Sequence, residues 1–372
     1  MARLEDICSI NMGQSPESSS YNENGEGMPF FQGNADFGEL HPKVRIWCNA
    51  PTKIAECGDI LISVRAPIGA LNIADKQCCI GRGLAALTVN ETLCSPKYLW
   101  YGLECKVDEL NSKGTGSTFK AINKKTLAET EIPLPPLEEQ RRIAALLNKV
   151  SDLIAKRRAQ LDKLDLLVKA RFVEMFGDIT ANSKEWKKEK LQSHIDMITG
   201  FPFNSSGYSE NGVKICGGLI IMPDQIKWDE CKFWPDSLGY EQFLLQEDDI
   251  VVALDRPWIS EGFKIGEIRA EDLPALLIQR TARIRGRDIT QQFLLYLLKD
   301  KAFEQHCTIT GSLVPHISIK DINGYEVILP PYELQQQFEE FSHKIKSLKL
   351  KAQKSLDKLE ILKKALMQQY FG

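Results

Sequence analysis

The chain has 372 residues, 43% of them hydrophobic and 26% charged, with a formal net charge of −3. That length allows two domains with their own cores. The charge excludes a uniformly basic nucleic-acid binder but leaves room for a locally basic face. Ten scattered cysteines without a CxxC, and only five histidines, argue against a zinc site and for a reduced, cytoplasmic setting. No apolar run suits a signal peptide or a membrane span.

Leu4 to Met12 predicts a short helix or turn, closed by Gly13. Residues 14 to 29, rich in Ser, Asn, Glu and Gly, predict a loop. Ile46 and Trp47 form a short apolar stretch, and Gly58-Asp59 introduces the β-branched strand ILISV. The following RAPIGA reads as a turn in which Gly69 supplies positive φ. Cys79 to Val89 predicts a strand pair, or one strand bent at glycine. Ser95-Pro96 starts a helix whose apolar face is LWYGLE. The loop KGTGSTFKAIN comes next, then a helical turn and an extended segment that Pro135-Pro136 halts.

The second half repeats this order. Leu191 to Thr199 echoes the opening helix, and Lys214 to Ile221 and Ile226 to Trp228 predict strands. EDDIVVAL at 247–254 matches GDILISV, and IQR at 278–280 is matched to IGR at 80–82, which pairs Arg280 with Arg82. From Pro135 to Gly177 and Pro330 to Gly372 the match needs no gap, at a shift of 195 residues. Pro-Pro, Gln140 with Gln335, LDKL and the terminal Phe-Gly all coincide, which marks a duplicated unit.

The two matched segments predict rods. Ile143, Leu147, Val150, Ile154, Leu161, Leu164, Val168 and Met175 advance by 4 and 3, interrupted at Arg157 and Arg171. Phe338, Phe341, Ile345, Leu348, Ala352, Leu356, Leu359, Leu366 and Tyr370 form a similar stripe. Such spacing is a coiled-coil signal, and each rod would be about 55–60 Å long. Antiparallel pairing of the two is the simplest arrangement; two single helices, each on its own domain, is the other.

Chemistry is mostly excluded. There is no phosphate loop, no GxGxxG after a strand, and no HExxH or GxSxG. Asp255-Arg256-Pro257-Trp258 approaches the Asp/Asn-Pro-Pro-aromatic tetrad of adenine methyltransferases, but Arg256 replaces the first proline. It reads as a turn, and the chain as non-catalytic.

At Gly116 to Leu147, GSTFKAINKKTLAETEIPLPPLEEQRRIAALL resembles the central conserved region of the specificity subunits of type I restriction-modification systems. Gly311 to Phe338 resembles the distal copy, and GDILIS with Arg82-Gly83 and Gln279-Arg280 resembles the framework of target recognition domains. The resemblance implies an α+β fold. Two mixed α/β target recognition domains, at 1–135 and 178–330, would be joined by two long antiparallel coiled-coil helices, at 136–177 and 331–372, as a pseudo-two-fold internal repeat. It implies that each domain reads one half of a split double-stranded DNA target and that the helix pair sets the gap. It also implies two methyltransferase subunits carrying S-adenosylmethionine, no cofactor in this chain, and two motor and nuclease subunits where the complex also cleaves. No membrane partner is implied.

Polar and basic residues on Gly-flanked loops are the candidates for DNA contact. They are Arg65, Arg82, Ser117, Lys120, Lys214, Arg256, Arg280, Ser312 and His316. Equal placement of Arg82 and Arg280 in both copies suggests a shared backbone role rather than base reading. Asn34, Lys43, Lys214 and Lys227 are the weaker candidates, while Phe30, Phe31 and Phe203 read as core. On the first rod, Lys149, Lys156, Arg157 and Arg158 are either a solvated coiled-coil face or contacts to the phosphates between half-sites. Ile143, Leu147, Val150, Leu161, Leu164, Phe338, Ile345, Leu356 and Leu359 are the expected pairing residues. The rival reading is a two-domain scaffold that holds protein partners and does not touch DNA.

Overall fold

The computed structural model describes residues 1–116, 120–311 and 314–372. The chain divides into two compact units. One is Met1–Ala159 with Ala352–Gly372, and the other is Gln160–Lys351.

In the first unit, β1 (Cys8–Met12), β2 (Tyr21–Asn22), β3 (Met28–Phe31), β4 (Ile46–Cys48), β5 (Ile54–Ala55), β6 (Ile60–Ser63), β7 (Leu71–Ile73), β8 (Cys78–Ile80) and β9 (Leu84–Val89) precede α1 (Pro96–Cys105). An antiparallel sheet has the order β1-β9-β6-β7, and a second sheet has the order β2-β4-β3-β8-β5, with β3 and β8 parallel. All four residues of β6 are buried, as a continuous apolar run covered on both faces should be. Ile60 and Ile62 meet the helices around Tyr98 and Leu147, while Leu61 points the other way, toward Phe31 and Ile80. This is the two-residue period of a strand.

The second unit repeats the plan. It holds β10 (Ile195–Thr199), β11 (Val213–Cys216), β12 (Lys232–Trp234), β13 (Ile250–Ala253), β14 (Ile265–Glu267), β15 (Ala275–Leu277) and β16 (Thr281–Gly286). The sheet order β10-β16-β13-β14 matches the first unit strand for strand, and β12-β11-β15 again has a parallel pair. Ile250 and Val252 face the helical core; Val251 and Ala253 face the second sheet. The turn into β6 uses Gly58 at φ 93°, and the turn into β13 uses Asp248 at φ 66°. Asp59 and Asp249, both buried, close these turns by accepting the amides of Glu56 and Gln246.

The long helices α2 (Leu137–Phe176) and α4 (Tyr332–Phe371) have 40 residues each, and both ends of α4 lie 195 residues beyond those of α2. Each begins at its own repeat. Gln140 is fully buried; its Oε1 accepts the Ser95 amide at 2.9 Å, and its Nε2 donates to the carbonyls of Leu93 and Pro135 at 3.0 and 2.8 Å. Gln335 accepts the Thr290 amide at 3.1 Å and donates to the Pro330 carbonyl at 2.9 Å. Thr290 caps α3 (Gln291–Lys299) as Ser95 caps α1. Each helix ends in the other unit. Phe176 packs on Phe293 of α3 at 4.5 Å between ring centroids, and Phe371 packs on Tyr98 of α1 at 4.9 Å.

Within each unit the two helix segments run antiparallel. In the first, Arg158 pairs with Glu360 at 2.7 Å, and Ile143 and Leu147 share a core with Met367 and Phe371. In the second, Lys349 pairs with Asp165 and Phe172 meets Phe338 at 5.3 Å. Val150, Ile345 and Leu356 are buried as expected, but Leu161, Leu164 and Leu359 are only half-buried. Leu348, expected on the stripe, is 48% exposed.

Other expectations are corrected. Only Leu4–Ile7 of the first stretch is helical; Cys8–Met12 is an edge strand paired with β9. Leu191–Ser193 is one 3-10 turn, followed by β10 rather than a helix. Gly217-Gly218 interrupts the strand expected over Lys214 to Ile221, and Trp228 opens a 3-10 turn. Phe30, Phe31 and Phe203 are buried, and Gly69 has φ 90°.

Replacing Gln140 by leucine would leave the part-buried Ser95 amide and the carbonyls of Leu93 and Pro135 without their partner. It is expected to cost about 2–3 kcal/mol in urea unfolding, whereas the exposed neighbour substitution Arg141→Ala stays within about 0.5 kcal/mol. Equal losses from the two would show that the glutamine is not the anchor.

Candidate DNA interface

In both units the described residues flanking the Gly/Ser/Thr loop are bonded to each other and to the end of the central strand. Thr115 and Ala121 exchange backbone hydrogen bonds of 2.9–3.0 Å, as Thr310 and His316 do at 2.8–3.0 Å. Ala121 then bridges Arg65, just beyond β6, and His316 bridges Asp255, just beyond β13. The Ala66 amide donates to the Lys120 carbonyl, and the Arg256 amide to the Pro315 carbonyl. Ser117 and Ser312 lie outside the described residues.

The first unit carries a pocket of about 290 Å³ at this place, lined by Arg45, Arg65, Arg82, Gln32 and Asn34. Asp36 is buried and accepts the Gln32 amide at 2.7 Å and the Arg45 Nε at 3.1 Å. Arg45 is therefore neutralised. Arg65 and Arg82 are exposed, and neither guanidinium has an ion pair or hydrogen bond among the described residues. Gly83 sits against the Gln32 backbone, where a Cβ would come within 2.5 Å of the carbonyl oxygen.

The second unit carries a cavity of about 420 Å³, lined by Asp255, Arg256, Lys264, Gln279 and Arg280 over an apolar floor that includes Ile220. Arg280 pairs with Asp255, which pushes its guanidinium pKa up. Arg256 and Arg280 have φ of 44° and 64°. Left-handed backbone at bulky residues is strained and collects at functional sites. Lys264 is buried, and its ammonium donates to the Gly218 carbonyl. Desolvation, and secondly Arg256, push its pKa down.

Ladder register corrects one pairing made from sequence. Leu84 opposes Ser63, and Thr281 opposes Ala253. The Val64 amide donates to Gly83, and the Leu254 amide to Arg280. Arg280 thus stands in the place of Gly83, and Gln279 in the place of Arg82. Matching the letters IGR and IQR is off by one residue, so the argument from equal placement falls. By the same bonds Asp255 stands where Arg65 does, and Arg256 where Ala66 does.

The remaining candidates are dispersed. Lys120 is exposed. The His316 ring shares a 2.8 Å hydrogen bond with Thr310 Oγ1. Lys214 does not line the cavity. Its ammonium donates to the carbonyls of Glu271 and Asp272 at 3.2 and 3.1 Å and lies over Trp228. On α2, Lys149 and Lys156 are exposed, Arg157 is half-buried, and Arg158 is held by Glu360. Sequence reasoning did not count Arg45, Asp255, Lys264 or Gln279 among the DNA contacts; Asp255 entered only in the rejected tetrad and Gln279 only as framework. Only the strand register singles out Gln279 and Asp255, and nothing in the sequence marks Lys264 as buried. Among the described residues, no helix is long and apolar enough to cross a membrane.

Comparison with known proteins supplies the family. The model of the type I restriction modification DNA specificity domain matches residues 1–164. The chain is 31% identical over 310 residues to the type I restriction enzyme MjaVIII specificity subunit of Methanocaldococcus jannaschii, covering 78% of this chain and 73% of that one. A second relative from the same organism is 47% identical over 156 residues, 42% of this chain and only 37% of its own length. The type I restriction-modification S subunit from M. genitalium shares the fold, with a TM-score of 0.61, 15% identity, and coverage of 100% of this chain and 95% of that one. The chain belongs to the specificity subunits of type I restriction-modification systems. It is a non-catalytic, DNA sequence-recognition subunit that works within a larger complex.

Arg280→Gly removes the left-handed strain and one exposed ion pair. Left-handed backbone costs a bulky residue about 1–2 kcal/mol, and glycine returns roughly 0.4–1 kcal/mol of that as unfolded-state entropy. The variant is expected to gain about 0.5–1 kcal/mol in urea unfolding, and to bind its target more weakly. A loss of stability would mean that the Asp255–Arg280 pair outweighs the strain.

Proposed function

We propose that each unit reads one half of a bipartite duplex target, through the pocket at the end of its central strand, and that α2 and α4 together set the gap. The observation that carries this reading is the repetition of one plan at the same structural position. Strand end, Gly/Ser/Thr loop and polar pocket recur in both units, with the rim side chains changed. Each unit would contribute guanidinium and amide contacts to base edges, and Lys120 and His316 would hold phosphates and so fix the orientation. A scaffold that never touches DNA has no need of two unpartnered guanidiniums in one pocket.

In this reading two methyltransferase subunits dock on the chain and bring S-adenosylmethionine, since the chain carries no cofactor motif of its own. Motor and nuclease subunits join where the complex also cleaves. The outward faces of the long helices, including Leu153 and Leu166 at 41% and 64% exposure, offer apolar surface for such subunits. The chain would act in the cytoplasm, where the duplex is.

The ruler role has a direct test. Both helices pass from one unit to the other as continuous helices, so lengthening α2 alone would pull either Phe176 or Phe371 from its seat. Four residues would therefore be inserted in both, after Ala159 and after Lys351. Each helix grows by about 6 Å, one to two base pairs at roughly 3.4 Å each. Sequencing of modified sites should find the same two half-sites separated by a longer gap. An active variant with an unchanged gap would show that the partner subunits hold the spacing.

A further inference from the structure

We propose that Arg82 and Gln279 are one reading position carried in two copies: Arg82 takes a guanine in the half-site of the first unit, and Gln279 takes an adenine in the half-site of the second. This rests on the reading that each unit contacts one half-site.

The strand ladders and the bonds from Val64 to Gly83 and from Leu254 to Arg280 place Gln279 where Arg82 stands. At both places the main chain is held. The Arg82 amide donates to Ser15 Oγ at 3.3 Å, and the Gln279 amide to the Phe201 carbonyl at 2.9 Å. At both places the side chain is exposed, lines the pocket and has no hydrogen-bonded protein partner among the described residues. A fixed backbone carrying an unengaged, variable polar group is what a reading position requires. An exposed guanidinium or carboxamide can meet a base edge or a phosphate, and the Arg82→Gln variant below separates the two.

The chemistry of the two side chains then names the bases. A guanidinium presents two parallel donors that match the O6 and N7 acceptors of guanine; a carboxamide presents one donor and one acceptor that match N7 and N6 of adenine. The neighbouring position agrees with this division. Arg65 adds a second free guanidinium beside Arg82, so that pocket offers cationic donors to acceptor-rich guanine. In the second unit Asp255 takes the place of Arg65 and ties up Arg280. Among Asp255, Arg256, Gln279 and Arg280, Gln279 is the uncharged side chain, with Arg256 beside it in the lining.

The test uses the full chain with its methyltransferase partner. The modified motif is mapped first. Guanines of the first half-site are then replaced one at a time by 7-deazaguanine, and adenines of the second by 7-deazaadenine, which removes N7 and leaves base pairing intact. One guanine and one adenine should each weaken binding roughly 3- to 30-fold, since loss of N7 breaks one of the two bonds of a bidentate pair. Arg82→Gln should abolish the guanine effect and turn that position toward adenine, leaving the second half unchanged. Gln279→Arg should do the converse. A first half-site without guanine, or 7-deaza substitutions without effect, would overturn the proposal even with sequence recognition intact. So would an Arg82→Gln variant that binds every sequence equally less well, which is the behaviour of a phosphate contact. A complex with no sequence preference in either half would instead remove the DNA-reading assignment on which the proposal stands.

Discussion

Each unit of this chain is closed by the last turn of a helix that begins in the other repeat. Phe371, next to the C-terminal glycine, fills the space beside Tyr98. Phe176, 195 residues earlier, fills the space beside Phe293. At their first turns the same helices are tied by Gln140 and Gln335 to the caps of α1 and α3. A helix fixed at its start by a buried amide network and at its end by a buried aromatic cannot change length freely. This fits the strict shift of 195 residues between the two rods.

Between these anchors the helices are held differently. Around Arg157, Leu161 and Leu164 the seam is half-buried, and it is crossed by the ion pairs Arg158–Glu360 and Lys349–Asp165. Exposed ion pairs contribute little to stability, so most of the cohesion comes from the apolar ends. The middle is then the stretch most tolerant of altered length. The anchors are the part that a target-specific gap must leave alone.

Much of this was legible in the sequence because it rests on periodicity and exact repetition. The 4-3 stripe, the Pro-Pro start, the coincident Gln140 and Gln335 and the GDILIS strand all carried signal. The glutamines showed as a coincidence of letters; their reason, burial against two caps, needed the fold. What could not be read was register. IGR and IQR look alike, yet hydrogen bonding sets Gln279, not Arg280, against Arg82, because Arg280 adopts the backbone place of Gly83. The burial of Lys264 and the commitment of Lys214 to two carbonyls were invisible for the same reason. Each depends on partners distant in sequence.

Hydrogen exchange on Phe371→Ala tests the reciprocal closure most directly. Residue 371 belongs to the second repeat, but it packs on α1 of the first unit. The account predicts faster exchange in Pro96–Cys105, with Gln291–Lys299 unchanged. Faster exchange confined to the last turn of α4, or spread equally over α1 and α3, would contradict it.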